Sequence, residues 1–390
     1  MEFLKERLRD LEIQSLRRSL RTVDGAQEAE VLLNGRKVLL LCGNNYLGLS
    51  ADPRVVEAVR RALASYGLGS GASRLISGTM SLHRLLEQKL AAFKGTEAAL
   101  LFSTGYMANL GILGALTGPQ DLIFSDALNH ASIIDGCRLS RASVRVYPHK
   151  DVDSLEKMLQ QETGFQHRFI VTDSLFSMDG DLAPLPALVD LATRYSAYLI
   201  VDEAHATGTL GPGGCGAVEH FGLRGRVPVI MGTLSKALGA FGAFVAGDRV
   251  LTDYLVNVCR PFIFTTALPP ALAAGVLTAL EILQGNPAMV EHLQENQRFF
   301  RDGLKELGFN TGASESHIIP VIIGEGKRTM AFCERLLQDH DVYVQGIRPP
   351  TVPAGTSRLR ITLMSTHRRE QLQRALEAMA QVGKSLEVIC

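Results

Sequence analysis

Residues 198–205 read Tyr198, Leu199, Ile200, Val201, Asp202, Glu203, Ala204 and His205, an apolar run that ends abruptly in two carboxylates and a histidine. Such a run suits a strand covered on both faces, and a polar cluster at its carboxyl end is where open α/β sheets place their ligands. The texture recurs. From about residue 51, helical stretches alternate with short apolar runs at 98–102, 121–125, 144–147, 169–173, 198–202, 229–233 and 241–246, with polar residues crowding their ends. This alternation predicts an α/β fold: a mainly parallel seven-stranded sheet with helices on both faces.

After a helical run ending near Leu283, Gly285-Asn286-Pro287 breaks the pattern. The remainder reads as a helix (290–307), a strand (318–323), a helix (329–340), two strands (342–345 and 358–363) and a last helix from His367, which predicts a smaller C-terminal α+β domain. Ahead of the sheet, Leu4, Leu8, Leu11, Ile13 and Leu16 follow a helical period. They predict an amphipathic helix over the first twenty residues, leading into Arg17, Arg18 and Arg21. Asn34-Gly35 between two apolar runs predicts a hairpin. At 390 residues the chain exceeds one ordinary core, and the expected divisions are 1–50 (helix and hairpin), 51–285 (large cofactor-binding domain) and 286–390 (small domain).

Lys plus Arg and Asp plus Glu number 40 each, so no net field favours nucleic acid or an anionic membrane. The opening residues lack a signal-peptide core, and the weakly polar stretch 271–283 is too short to span a bilayer. Six scattered cysteines, with no C-x-x-C pair and no His/Cys ligand spacing, predict no metal site and a reduced cytoplasmic protein. Cys215, in a glycine loop, reads as a small packing residue rather than a nucleophile.

Lys236 follows the run Val229-Ile230-Met231 and stands beside Thr233 and Ser235. A turn lysine is usually solvated charge; Asp202 and His205 at another strand end argue otherwise. A lysine can condense with the aldehyde of pyridoxal phosphate, and a carboxylate against the pyridine nitrogen keeps that ring an electron sink. Ser103 to Asn109 follows a strand and opens a helix, so its amides, with Gly105 allowing close approach, suit a phosphate or simply make a turn. Gly67-Leu68-Gly69-Ser70-Gly71 has no strand before it and is not a dinucleotide loop. His130 sits at the same rim, placed to stack on a ring or to serve as an ordinary surface histidine. Asp173 and Ser177 could reach a ring hydroxyl or an amino acid, or could be plain turn residues. Arg360, on a strand after the proline-stiffened segment 349–353, is a natural clamp for a carboxylate.

Together these segments resemble the α-oxoamine synthases, a pyridoxal phosphate family that condenses an amino acid with an acyl thioester and releases carbon dioxide. The likeness spans essentially the whole chain and is carried by Ser70 to Gly78, Asp202 to Gly208, and Arg348 to Pro353. It implies that Lys236 holds the cofactor, Asp202 pairs with the pyridine nitrogen, His205 meets the ring oxygen and His130 stacks on the ring. Gly105 and Tyr106 would supply the phosphate turn, with Ser177 and Thr233 completing the cofactor contacts. Arg360 and Asn44 would hold a carboxylate, Thr351 would line the substrate site, and Arg17 would face the acyl substrate, with Arg18 and Arg21 as close alternatives. The resemblance also implies a homodimer, in which Thr265 or Thr266 reaches the neighbouring subunit's phosphate. The implied substrates are L-alanine and a pimeloyl thioester on coenzyme A or an acyl carrier protein, with glycine and acetyl-CoA as the alternative pair. A non-catalytic subunit of the same fold is the alternative of another class.

Overall fold

A computed structural model describes residues 1–13 and 16–390. Helix α1 (Glu2–Ile13) buries none of its side chains. The helix expected over the first twenty residues therefore stops short, leaving 17–20 without helix or strand; positions 14 and 15 lie outside the described residues. Arg348 Nη2 donates to the Arg17 carbonyl at 3.1 Å, a contact from a distant loop. Strands β1 (Val23–Asp24), β2 (Glu30–Leu33) and β3 (Arg36–Leu40) follow, and β2 and β3 form the hairpin across Asn34-Gly35.

Helices α2 (Pro53–Tyr66) and α3 (Ser81–Lys94) lead to the main sheet. It is built from β4 (Ala98–Phe102), β5 (Leu122–Asp126), β6 (Ser143–Tyr147), β7 (Arg168–Asp173), β8 (Tyr198–Asp202), β9 (Val229–Thr233) and β10 (Ala243–Gly247). Their order is β4-β10-β9-β8-β7-β5-β6, and only β10 runs antiparallel to its neighbours. Every residue of β4, β5, β9 and β10 is buried. That burial explains the continuous apolar runs, since helices cover both faces. Leu199, Ile200 and Val201 of β8 each contribute about 1.5–3 kcal/mol by leaving water. Among the described residues no helix is long and apolar enough to cross a membrane.

Helix α4 (Gly105–Leu116) follows β4, with the Thr104 side chain accepting from the Met107 amide at 3.1 Å, and α5 (Ala131–Ser140) follows β5. Beyond residue 286, helices Ala288–Glu306, Gly326–His340 and Arg369–Ser385 accompany a second sheet of β11 (Ile318–Gly324), β13 (Gln345–Ile347) and β14 (Ser357–Thr362). The strand expected at 342–345 is instead two. Val342–Tyr343 (β12) pairs in parallel with β3, whereas β13 pairs antiparallel with β14. The last helix begins at Arg369 because His367 is buried in the turn before it, its Nδ1 accepting from the Met364 amide.

Candidate active site

The carboxyl ends of β5, β7, β8 and β9 and the start of α4 surround a cavity of about 170 Å³. Gly105, Tyr106, His130, Asp202, His205, Thr233 and Lys236 all line it, together with Asn109, Ser132 and Asp173. Strand register explains the meeting: Asp173 of β7 is paired with Asp202 of β8, and Asp202 with Met231 of β9.

Asp202 is buried and held from two sides, its Oδ2 accepting from Asn109 Nδ2 at 2.7 Å and its Oδ1 from the Ala204 amide at 2.7 Å. Asn109 is the polar exception on an apolar helix; its Nδ2 also reaches Ser132 Oγ at 2.9 Å. His130 caps α5, and its Nδ1 accepts from the Ser132 amide at 3.3 Å and meets the Ser132 hydroxyl at 2.7 Å. These contacts assign the ring proton to Nε2.

Burial lowers the Lys236 amine below its ordinary value, against the opposing pull of the Asp202 and Asp173 charges. Burial and then the Asp202 charge raise Asp173 well above the carboxylate range, although Asp173 Oδ2 accepts from the His130 amide at 2.7 Å. Burial thus biases the Asp173 carboxyl toward its protonated form, whereas Asp202 accepts two N–H donors. Burial also lowers His130, and it lowers His205 well below the usual imidazole value, helped there by the Lys236 and Arg360 charges.

Next to this cavity lies a polar group joined through His205, in which Tyr46, His205, His317 and Arg360 are buried and Asn44 is exposed. The Tyr46 hydroxyl is 2.7 Å from His205 Nδ1, and Asn44 Oδ1 stands 3.0 Å from that hydroxyl and 3.5 Å from Arg360 Nη2. Arg360 Nε donates to the Ser177 carbonyl at 2.6 Å, so Ser177 meets that arginine through its main chain. The His317 ring packs edge-on against Tyr46 at 4.0 Å, and burial and the nearby Arg360 hold His317 to a pKa of about 3. Sequence reasoning missed Tyr46, His317 and Asn109. The available signals were an Asn-Asn-Tyr interruption in an apolar stretch and a lone amide in an apolar helix.

Behind the site, Glu203 is fully buried with Lys94, whose Nζ also donates to Thr207 Oγ1 at 2.8 Å, while the Val218 amide donates to Glu203 Oε1 at 2.7 Å. The pair fixes the turn between Asp202 and His205.

The remaining predicted residues stand apart from the 170 Å³ cavity. Arg17, Arg18, Arg21 and Thr351 line a separate cavity of about 560 Å³ with Tyr343, Gln345 and Arg348. There Arg17 pairs with Glu12 at 3.0 Å and Arg21 with Glu334 at 3.3 Å. Thr265 and Thr266 sit with Arg74 and Ser103 beside Phe262, and Thr266 bridges to Ser73.

The donor set fits pyridoxal phosphate: an amine for its aldehyde, a carboxylate for its pyridine nitrogen, imidazoles for its ring and a helix N-terminus for its phosphate. A mostly parallel sheet carrying this set at its carboxyl rim defines a fold type I enzyme. Residues 36–379 match the family model of class I and II aminotransferases, and the chain belongs to that family. It is 53% identical over 384 residues to 8-amino-7-oxononanoate synthase of Geobacter sulfurreducens, with 98% of each chain covered. The Geobacter metallireducens protein of the same name is 50% identical over 386 residues, again with 98% of each covered. Among solved structures, serine palmitoyltransferase from S. paucimobilis with bound PLP is 35% identical at a TM-score of 0.94, covering 99% of this chain and 98% of that one.

Proposed function

We propose that this protein is a pyridoxal phosphate enzyme that condenses L-alanine with a pimeloyl thioester, releasing carbon dioxide and forming 8-amino-7-oxononanoate for biotin synthesis. The observation that carries the reading is the meeting in one cavity of Asp202, which ends β8, and Lys236, in the turn after neighbouring β9, in a chain about half identical to synthases of that name.

When bound, pyridoxal phosphate supplies an electron sink for negative charge at the amino-acid Cα. The protein supplies the rest. Asp202, held by Asn109 and Ala204, sets a fixed negative charge for the pyridine nitrogen. Lys236 Nζ, with its pKa lowered by burial, is the base that takes the Cα proton. Arg360, steadied by the Ser177 carbonyl, and Asn44 hold the amino-acid carboxylate. The amides opening α4 at Gly105 and Tyr106 receive the phosphate. His205 and His130, both kept neutral by burial, contact the ring without adding positive charge beside Lys236.

The protein works as a cytoplasmic homodimer. Leu68, Ile76 and Phe264 are 82%, 81% and 71% exposed, and their segments are joined by the Ser73 to Thr266 bridge near the site. This apolar surface suits a second copy, which would bring Thr265 and Thr266 to the partner's phosphate. All six cysteines are unpaired, in keeping with a reducing compartment.

A substrate panel tests the reading. Alanine, glycine and serine are crossed with pimeloyl, acetyl and palmitoyl thioesters, on coenzyme A and on acyl carrier protein. Preference for alanine with the pimeloyl group is expected, and preference for glycine with the acetyl group would overturn it.

A further inference from the structure

His149, in the turn after β6, has a carboxylate at each ring nitrogen: Nδ1 lies 2.9 Å from Asp126 Oδ1 and Nε2 lies 3.0 Å from Asp181 Oδ2. Both aspartates are buried. A carboxylate offers only lone pairs and a neutral imidazole has one N–H, so both contacts are satisfied together only when both ring nitrogens carry protons. Charge agrees with geometry. Lys150 Nζ is 3.0 Å from Asp181 Oδ2, so two cations face two carboxylates, with Glu315 3.9 Å from Lys150 at the outer edge. The Phe176 ring packs edge-on to His149 at 4.4 Å, while Tyr147 and Asp173 lie on the Asp126 side. Burial opposes the charge on His149, but hydrogen bonds and charges from Asp126 and Asp181 lift its pKa to about 9.

Each aspartate belongs to a turn that serves the active site, Asp126 through its carboxylate and Asp181 through its main chain. Asp126 Oδ1 accepts from the Leu128 amide at 2.8 Å, which shapes the turn delivering His130. The Asp181 carbonyl accepts from the Phe176 amide at 3.0 Å, closing the loop that presents the Ser177 carbonyl to Arg360. That loop is pressed against β11. A Cβ on Gly180, at φ +69°, would fall 1.8 Å from the Ile318 carbonyl oxygen.

We propose that His149 is a positioning residue: its doubly protonated ring ties the His130 turn to the Ser177 loop and thereby sets the orientation of Arg360 toward the substrate carboxylate. The inference rests on the reading of Arg360 as that clamp.

The test uses the holoenzyme. Nitrogen-15 spectra of histidine-labelled protein at pH 8 should show both ring nitrogens of His149 protonated, and a singly protonated ring would overturn the proposal. In His149→Gln, loss of one charged hydrogen bond should raise KM for L-alanine about tenfold, with kcat changed much less. Propionate, which lacks the amine, serves as a competitive probe of the clamp. Its inhibition of the unaltered enzyme should weaken as pH rises through about 9. Propionate should inhibit His149→Gln weakly and without that pH dependence, and His149→Asn should behave alike. Arg360→Gln separates the two readings. If it leaves KM and propionate inhibition unchanged, the clamp and the positioning role fall together. If it raises KM and weakens propionate inhibition while His149→Gln does neither, the positioning role alone falls.

Discussion

The Tyr46 hydroxyl bridges two functional side chains, standing 2.7 Å from His205 Nδ1 and 3.0 Å from Asn44 Oδ1. An amide oxygen can only accept, so Tyr46 donates to Asn44 and accepts from His205, which leaves Nε2 of that ring with a lone pair. Tyr46→Phe would strand the buried Nδ1–H, at a cost of about 1–3 kcal/mol. A lower Tm and a reduced kcat are expected, with a shifted cofactor absorbance maximum reporting the change at His205. An unaltered spectrum and kcat would show that Tyr46 only packs.

Lys236→Ala removes the amine to which we assign both the bond with the cofactor aldehyde and the removal of the Cα proton. Turnover should fall by at least about a thousandfold, within the range lost when both roles vanish together. Borohydride treatment should no longer fix cofactor to the chain, as mass spectrometry would read.

Glu203→Gln should cost about 3–5 kcal/mol in urea unfolding, because it leaves Lys94 buried without its counter-charge. Adding Lys94→Met to Glu203→Gln should recover part of the loss. If the double variant is no more stable than Glu203→Gln alone, the pair is not the source.

His367 makes a pH prediction. Its Nδ1 accepts from the Met364 amide and its Nε2 donates to the Leu40 carbonyl, both at 3.0 Å, an arrangement only the neutral ring satisfies. Burial lowers its pKa from 6.5 to about 4, opposed by the Leu40 hydrogen bond. The folded value lies below the unfolded one, so this contribution is full above pH 6.5 and lost as pH falls toward 4. Proton uptake on unfolding at pH 5 should accordingly be smaller in His367→Gln than in the unaltered protein.

Much of this architecture is written in local residue patterns. The seven apolar runs locate the strands because both sheet faces are covered, and polar residues at the ends of β8 and β9 mark the rim. Lys236, Asp202 and His205 are legible because each breaks an apolar run abruptly. Tyr46 and His317 are not, since they meet their partners only when residues far apart in the chain fold together. Amphipathic spacing in α1 predicts too long a helix, because periodicity carries no record of contacts such as that of Arg348 with the Arg17 carbonyl, made from far along the chain. The run at 342–345 likewise looks continuous because buried Val342 and Val344 alternate with half-buried Tyr343 and exposed Gln345 across the break.

Val344 alone separates β12 from β13. With one sheet holding the chain on its amino side and another on its carboxyl side, there is no slack to absorb a length change. Deleting Val344 would turn Gln345, Gly346 and Ile347 to the opposite face and misalign the wall beside Arg17 and Thr351. Substitutions should therefore be tolerated at Gln345 and Ile347 where a change of length is not, with insertions and deletions confined to the loops.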